Sequence, residues 1–247
     1  MVNASAGLVW TFVGLALAVA SAFVFAAFRA AHARHAAIAA VAVVSWLGFT
    51  LALAASGVLS FTSVPPTMVI LLVAIVALAF VIGTSRFGLR LATGIPLAAL
   101  VGIQGFRFPL ELMLHQAYVE GLMPVQMSFS GFNFDILTGL SAIVVALVLV
   151  WRPMSVTLVR IWNTAGVVLL ANILTIAVLS APLPLRVFQN EPANVWVTQA
   201  PWVWLPSVYV MAAIIGHILV YRRVRHELAL RAPAKGPAQL AEYGTRA

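Results

Sequence analysis

The chain has 247 residues, 63% of them hydrophobic and only 8% charged, with a formal net charge of +8 and no cysteine. A soluble domain carries about 25% charged residues, so the composition excludes one and points to a polytopic, all-α membrane protein. Disulfides, thiolate metal sites and cysteine nucleophiles are excluded as well.

Seven apolar segments follow in chain order, at 7–28, 36–59, 67–84, 91–119, 134–151, 157–180 and 202–222. Each approaches the roughly 20 residues that cross a bilayer as a helix. The first has no Lys or Arg before it, whereas a signal peptide begins with a basic region, so it reads as a retained first helix. The linkers carry helix-breaking punctuation: "SVPPT", "SRFGLR", "WRPMS" and "SAPLP". No internal repeat is visible, which gives no support to an inverted-repeat transporter.

The basic residues orient the bundle, because loops rich in Lys and Arg stay in the cytoplasm. Arg29 and Arg34 follow the first helix, Arg86 and Arg90 the third, and Arg152 and Arg160 flank the turn after the fifth. Arg222, Arg223, Arg225, Arg231, Lys235 and Arg246 lie at the C-terminal end, so 12 of the 14 basic residues share one side. The expected topology is an outside N-terminus and a cytoplasmic C-terminus, with residues 1–225 forming a seven-helix domain and 226–247 a basic, flexible tail. Orientation accounts for the basic tail, so no nucleic-acid partner is implied. The non-tail acids Glu111, Glu120, Asp135 and Glu191 fall in the outer half, near Trp10, Trp196, Trp202 and Trp204, which read as an interfacial belt.

The fourth segment breaks the apolar rule. In "GIQGFRFPLELMLHQAYVEG" (102–121), Gln104, Arg107, Glu111, His115 and Tyr118 fall within about an 80° arc of an ideal helix. The segment is about 29 residues long and rises about 40 Å, and Pro109 removes a donor from the Gly105 carbonyl and predicts a kink. Charges at membrane depth cost about 2.5–3.5 kcal/mol each on insertion scales and mark functional sites or helix contacts. Arg107 and Glu111, at i and i+4, are placed to pair with one another. The alternative to a structural ion pair is an outward-open pocket lined by the stripe.

Other polar residues extend that pocket. Asn133 or Asp135, in "SGFNFDILTG", reads as the N-cap of the fifth helix, or else Asp135 faces Arg107 or His115. The loop "FQNEPANVWVTQAPWVW" is stiffened by prolines and is a candidate lid, with Glu191 or Asn194 reaching inward. Asn163 and Asn172 are nine residues apart and point to opposite faces; Asn172 is the one expected at the pocket. His217 is placed near the cytoplasmic end of the seventh helix, far in depth from His115.

Several chemistries are excluded on these grounds. Two histidines at different depths do not bracket a haem, and five histidines in the whole chain do not make a di-iron cluster. The only Lys is Lys235, so no retinal Schiff base forms within the bundle. No phosphate-binding Gly loop appears. Met113, Met123 and Met127 near His115 are ordinary apolar-helix residues rather than a copper site. No metal or cofactor is expected.

The run from "GIQGFRFPLELMLHQAYVEGLMP" through "GFNFDILTG" to "NEPANVWVTQAPWVWLP" resembles a group of uncharacterised bacterial multipass membrane proteins. The resemblance covers about residues 102–206. It implies a bacterial inner (plasma) membrane and carries no activity.

Three functions are compatible with these residues. The first is binding or transport of a small polar or amphipathic ligand, with Arg107 holding an anionic group and Glu111 and His115 orienting it or carrying a proton. The second is an intramembrane enzyme acting on a lipid or isoprenoid-like substrate, with His115 as acid-base catalyst tuned by Glu111. The third is an accessory subunit or homo-oligomer in which the stripe packs against a membrane partner.

Overall fold

In lipid a spanning segment must satisfy its backbone internally, which leaves the helix as the outcome for apolar runs of this length. The computed structural model describes residues 4–231 and contains no strand among the described residues. Six helices there are long and apolar enough to cross a membrane: Ala6–Ala30, Ala33–Ala55, Thr67–Thr84, Leu97–Val119, Val156–Leu179 and Leu205–Leu230. The segment expected at 134–151 is a shorter apolar helix of 16 residues, Ile136–Trp151. These are the helix lengths and compositions of an integral membrane protein.

The first two spans form one helix by hydrogen bonding, α1 (Ala6–Ala55). Straight, it would separate Phe12 from Leu47 by about 50 Å. Instead the Tyr209 hydroxyl donates to Phe12 O, and the Trp204 indole N–H donates to Leu47 O. Both arms therefore reach one short segment of the last helix, and the chain doubles back near residues 30–35. Gly94 sits against Ala30 at that turn.

The expected 91–119 helix is divided. α2 (Thr67–Thr84) leads into the short α3 (Arg86–Gly94), which contains Leu91, and Pro96 then starts α4 (Leu97–Gly102). Pro96 has no N–H to donate and disfavours helix in the residue before it, so one continuous helix from Leu91 is not formed. A 3-10 turn, Ile103–Phe106, joins α4 to α5 (Arg107–Val119). The distortion expected from Pro109 is thus taken up one turn earlier, at the carbonyls the ring disturbs.

α6 (Ile136–Trp151) and α7 (Val156–Leu179) follow, and a π-helical turn, Leu205–Val210, opens the last helix, α8 (Met211–Arg231). The span Leu205–Leu230 is 72% buried, against 11% for Ala33–Ala55, so α8 is the central post and the second arm of α1 is peripheral. Outward faces are apolar, with Val44, Val73, Val150 and Trp151 all exposed. At one end of the bundle Arg222 donates to the carbonyls of Gly83 and Ser85, and Arg223 to that of Thr93. These are the C-terminal ends of α2 and α3, where unpaired carbonyls favour a cation. α8 continues past the expected boundary at 225, and residues 232–247 of the expected tail lie outside the described residues.

Candidate functional site: a buried ionic centre

Arg107, at the start of α5, is 1% exposed and does not pair with Glu111. Its Nε donates to Asp135 Oδ2 at 2.5 Å, and its Nη2 to Asp135 Oδ1, a two-point guanidinium–carboxylate pair. Gly139 explains the choice of partner. A Cβ there would lie 2.2 Å from Phe108 N, so its absence lets α6 meet the α5 backbone. That close approach delivers Asp135 to Arg107, whereas an i,i+4 pair along α5 would keep Arg107 on its own helix. Asp135 stands at the N-cap position of α6, but its side chain makes no cap bond. Asn133 Oδ1 takes the Asp135 N–H instead, at 3.1 Å.

The centre extends into α7 and α8. Arg107 Nη1 lies 2.9 Å from His217 Nε2, and His217 Nδ1 lies 2.8 Å from Asn163 Oδ1. Asn163 Nδ2 donates to the His217 carbonyl at 3.1 Å, which fixes the amide orientation and makes Oδ1 the acceptor toward the ring. His217 therefore carries its hydrogen on Nδ1 and offers the Nε2 lone pair to Arg107. It acts as a neutral acceptor and adds no positive charge. Gly166 makes the room: a Cβ there would lie 2.6 Å from His217 Cε1. His217, expected far in depth from His115, is buried and meets Arg107 inside the bundle.

Glu111, 2% exposed, is one turn further along α5. Asn133 Nδ2 donates to its Oε2 at 2.6 Å and to Met127 O at 3.0 Å. Its Oε1 has no hydrogen-bond partner among the described residues, and Glu111 forms no salt bridge there. Glu111, Arg107 and Asp135 line a cavity of about 60 Å³ whose other walls include Leu114, Leu170, Leu174, Phe106 and Tyr209. Leu205 and Val210 of the π-helical turn also border it, and π-helical turns recur at functional sites.

The rest of the expected site divides. Gln104 is fully buried on the same stripe and donates to Ala213 O of α8, with its Oε1 unpartnered. His115 and Tyr118 are half-buried; His115 stacks on Phe129 and contacts Ser130 Oγ at 3.2 Å, away from the ionic centre. Asn172 donates to Phe132 O and ties α7 to the 120–135 loop, so Asn163 takes the central place expected for Asn172. The two asparagines do face opposite ways. Glu191 does not reach inward: its side chain is 71% exposed, bonds Arg186 and accepts the Ala193 N–H. Arg186 and that N–H hold its carboxyl below the ordinary range. Asn194 is buried and donates to Ala177 O, fastening the loop to α7.

Asn133, Asn163, His217 and Tyr209 are the members that spacing along one helix does not single out. Each is a polar group in an otherwise apolar helix or beside a helix start, and that is the signal they share. Among the described residues, no group of three or more His, Asp or Glu gathers to hold a metal.

Apolar helices around a charged core define the class: a helical membrane protein with a compensated Arg–Asp pair and one additional carboxyl on an internal cavity. The chain belongs to the family described as a domain of unknown function, DUF8737, matched over residues 64–225. That range holds every residue of the ionic centre and omits α1. No curated protein and no solved structure matches the chain.

Proposed function

We propose that the protein is a seven-span bacterial inner-membrane protein, N-terminus outside and C-terminus cytoplasmic, that binds a small polar ligand in its outer half in a transport-like manner. The observation that carries this reading is the Glu111 carboxyl, buried yet with an oxygen left open on a cavity. Burying a polar group without a partner is costly, and in a membrane such groups serve function by default. Size supports a small ligand. A cavity of about 60 Å³ holds a few waters or one small solute, while a 150 Å³ cavity is needed for benzene.

The test is a panel of small cationic, anionic and neutral solutes against the full chain in lipid nanodiscs, read by thermal stabilisation. The reading expects at least one solute to stabilise the wild type and to lose its effect in Ala177→Leu, which fills the cavity. Absence of any response, or a response identical in Ala177→Leu, contradicts it. A cytoplasmic reporter fused after residue 247 is expected to be active, and an active periplasmic reporter there overturns the orientation.

A further inference from the structure

We infer that the ligand of this cavity is a small protonated amine of the ammonium or methylammonium type, held by Glu111. The inference rests on the proposed binding role of the same cavity and specifies its ligand.

Charge balance is the first ground. The centre contains two carboxyls, Glu111 and Asp135, and one guanidinium, Arg107. His217 contributes no charge, because its Nε2 lone pair faces an Arg107 N–H. With Glu111 ionised the centre is one positive charge short, and a bound cation then offsets a charge that is otherwise strongly unfavourable inside a bundle. Hydrogen bonding is the second ground. In its carboxylate form Glu111 leaves an acceptor open on the cavity, and an ammonium group is all donors. An anion would have to compete with Asp135 for Arg107, which is already engaged at two points.

The walls narrow the class further. Ca²⁺ and Mg²⁺ need about six to eight oxygen ligands, and Leu110, Leu114, Leu170, Ile173 and Leu174 supply none from their side chains. Phe106 and Tyr209, stacked with centroids 5.8 Å apart, also line the cavity. Aromatic surfaces attract organic and ammonium cations. At about 60 Å³ the space admits one such ion and few waters.

The deciding experiment measures saturable binding of radiolabelled methylammonium to the full chain in nanodiscs, beside acetate and urea at equal ionic strength. Wild type is expected to bind methylammonium, Glu111→Gln to weaken it at least tenfold, and His115→Ala, which lies outside the centre, to bind as wild type does. Glu111→Gln removes a buried charge and keeps the shape, so its folding is not at issue; Glu111→Asp, which keeps the charge on a shorter arm, is expected to fall between them. Methylammonium binding indifferent to Glu111→Gln overturns the inference. Binding of acetate or urea instead, lost in Ala177→Leu, overturns the cation and leaves the pocket standing. If none of the three binds, both readings fail.

Discussion

Two cavities lie on opposite sides of the π-helical turn Leu205–Val210. The larger, about 260 Å³, is bordered by both arms of α1, α2 and α8, and its polar lining side chains are the Ser207 hydroxyl and the Trp46 indole N–H. Both are satisfied by backbone, since Trp46 Nε1 donates to the Ser207 carbonyl at 2.8 Å and Ser207 Oγ to the Val203 carbonyl at 2.8 Å. The smaller, about 60 Å³, is bordered by Arg107, Glu111 and Asp135. Volume and chemistry are therefore separated. The larger space is lined almost wholly by apolar side chains, while the smaller one has three ionisable side chains on its wall.

Asp135→Ala is the strongest way to break the smaller side. It leaves Arg107 buried and unpaired, a change that costs about 3–5 kcal/mol, and the expected result is a large fall in thermal midpoint or loss of folded protein. A near-wild-type midpoint would contradict the pairing. Gly139→Ala comes next. Its Cβ would lie 2.2 Å from backbone N of Phe108, which cannot move as a side-chain tip does, so overpacking of about 1–3 kcal/mol is expected. Unfolding midpoints in a denaturant series check this, and an unchanged value would mean that α5 and α6 are not in close contact.

On the larger side, Ala20→Val adds bulk to an apolar wall. The expected change in stability is within about 1 kcal/mol, with solute binding at the smaller cavity untouched. Loss of binding in Ala20→Val would show that the two spaces are coupled through the π-helical turn. The smallest effect concerns the N-terminal clip, where the Ser5 N–H and Oγ donate to Glu120 at 2.7 and 2.6 Å. Partial burial disfavours the Glu120 carboxylate, but hydrogen bonds from Ser5 and Gln116 outweigh it and hold the carboxyl below its ordinary value. A depressed carboxyl contributes above its unfolded-state value and loses that contribution as pH falls through the folded one. Faster hydrogen exchange at residues 5–9 is expected only below the ordinary carboxylate range, and Glu120→Gln should remove the pH dependence.

Much of this arrangement was legible along the chain. Hydrophobic length located the apolar stretches, although the 91–119 segment is divided at Pro96 and the last helix runs past its expected end at 222 to Arg231. The 100° spacing put Gln104, Arg107 and Glu111 on one face, which is the buried one. Periodicity names a face and not the residue across from it. Asp135 read either as an N-cap or as facing Arg107 or His115, and the α5–α6 approach at Gly139 decides for Arg107. His217 read as a residue near one end of its helix, and its contacts with Arg107 and Asn163 come from the packing of α8 against α5 and α7, which the pattern of one helix does not give. The stripe also ends sooner than its spacing suggests. Past Glu111 the same face emerges from the core, and His115 and Tyr118 are half-exposed. The doubling back of α1 was legible as the break with Arg29 and Arg34 between the segments 7–28 and 36–59, and bonds from Trp204 and Tyr209 to Leu47 and Phe12 hold the two arms.

The central claim is that Arg107 and Asp135 form one buried unit across α5 and α6. A double-mutant cycle with Arg107→Met and Asp135→Leu, read as unfolding free energy in the same lipid, tests it most directly. The account predicts that each single change is severely destabilising and that the double variant recovers most of the loss, because no unpaired charge is left inside. Additive losses in the double variant would contradict it.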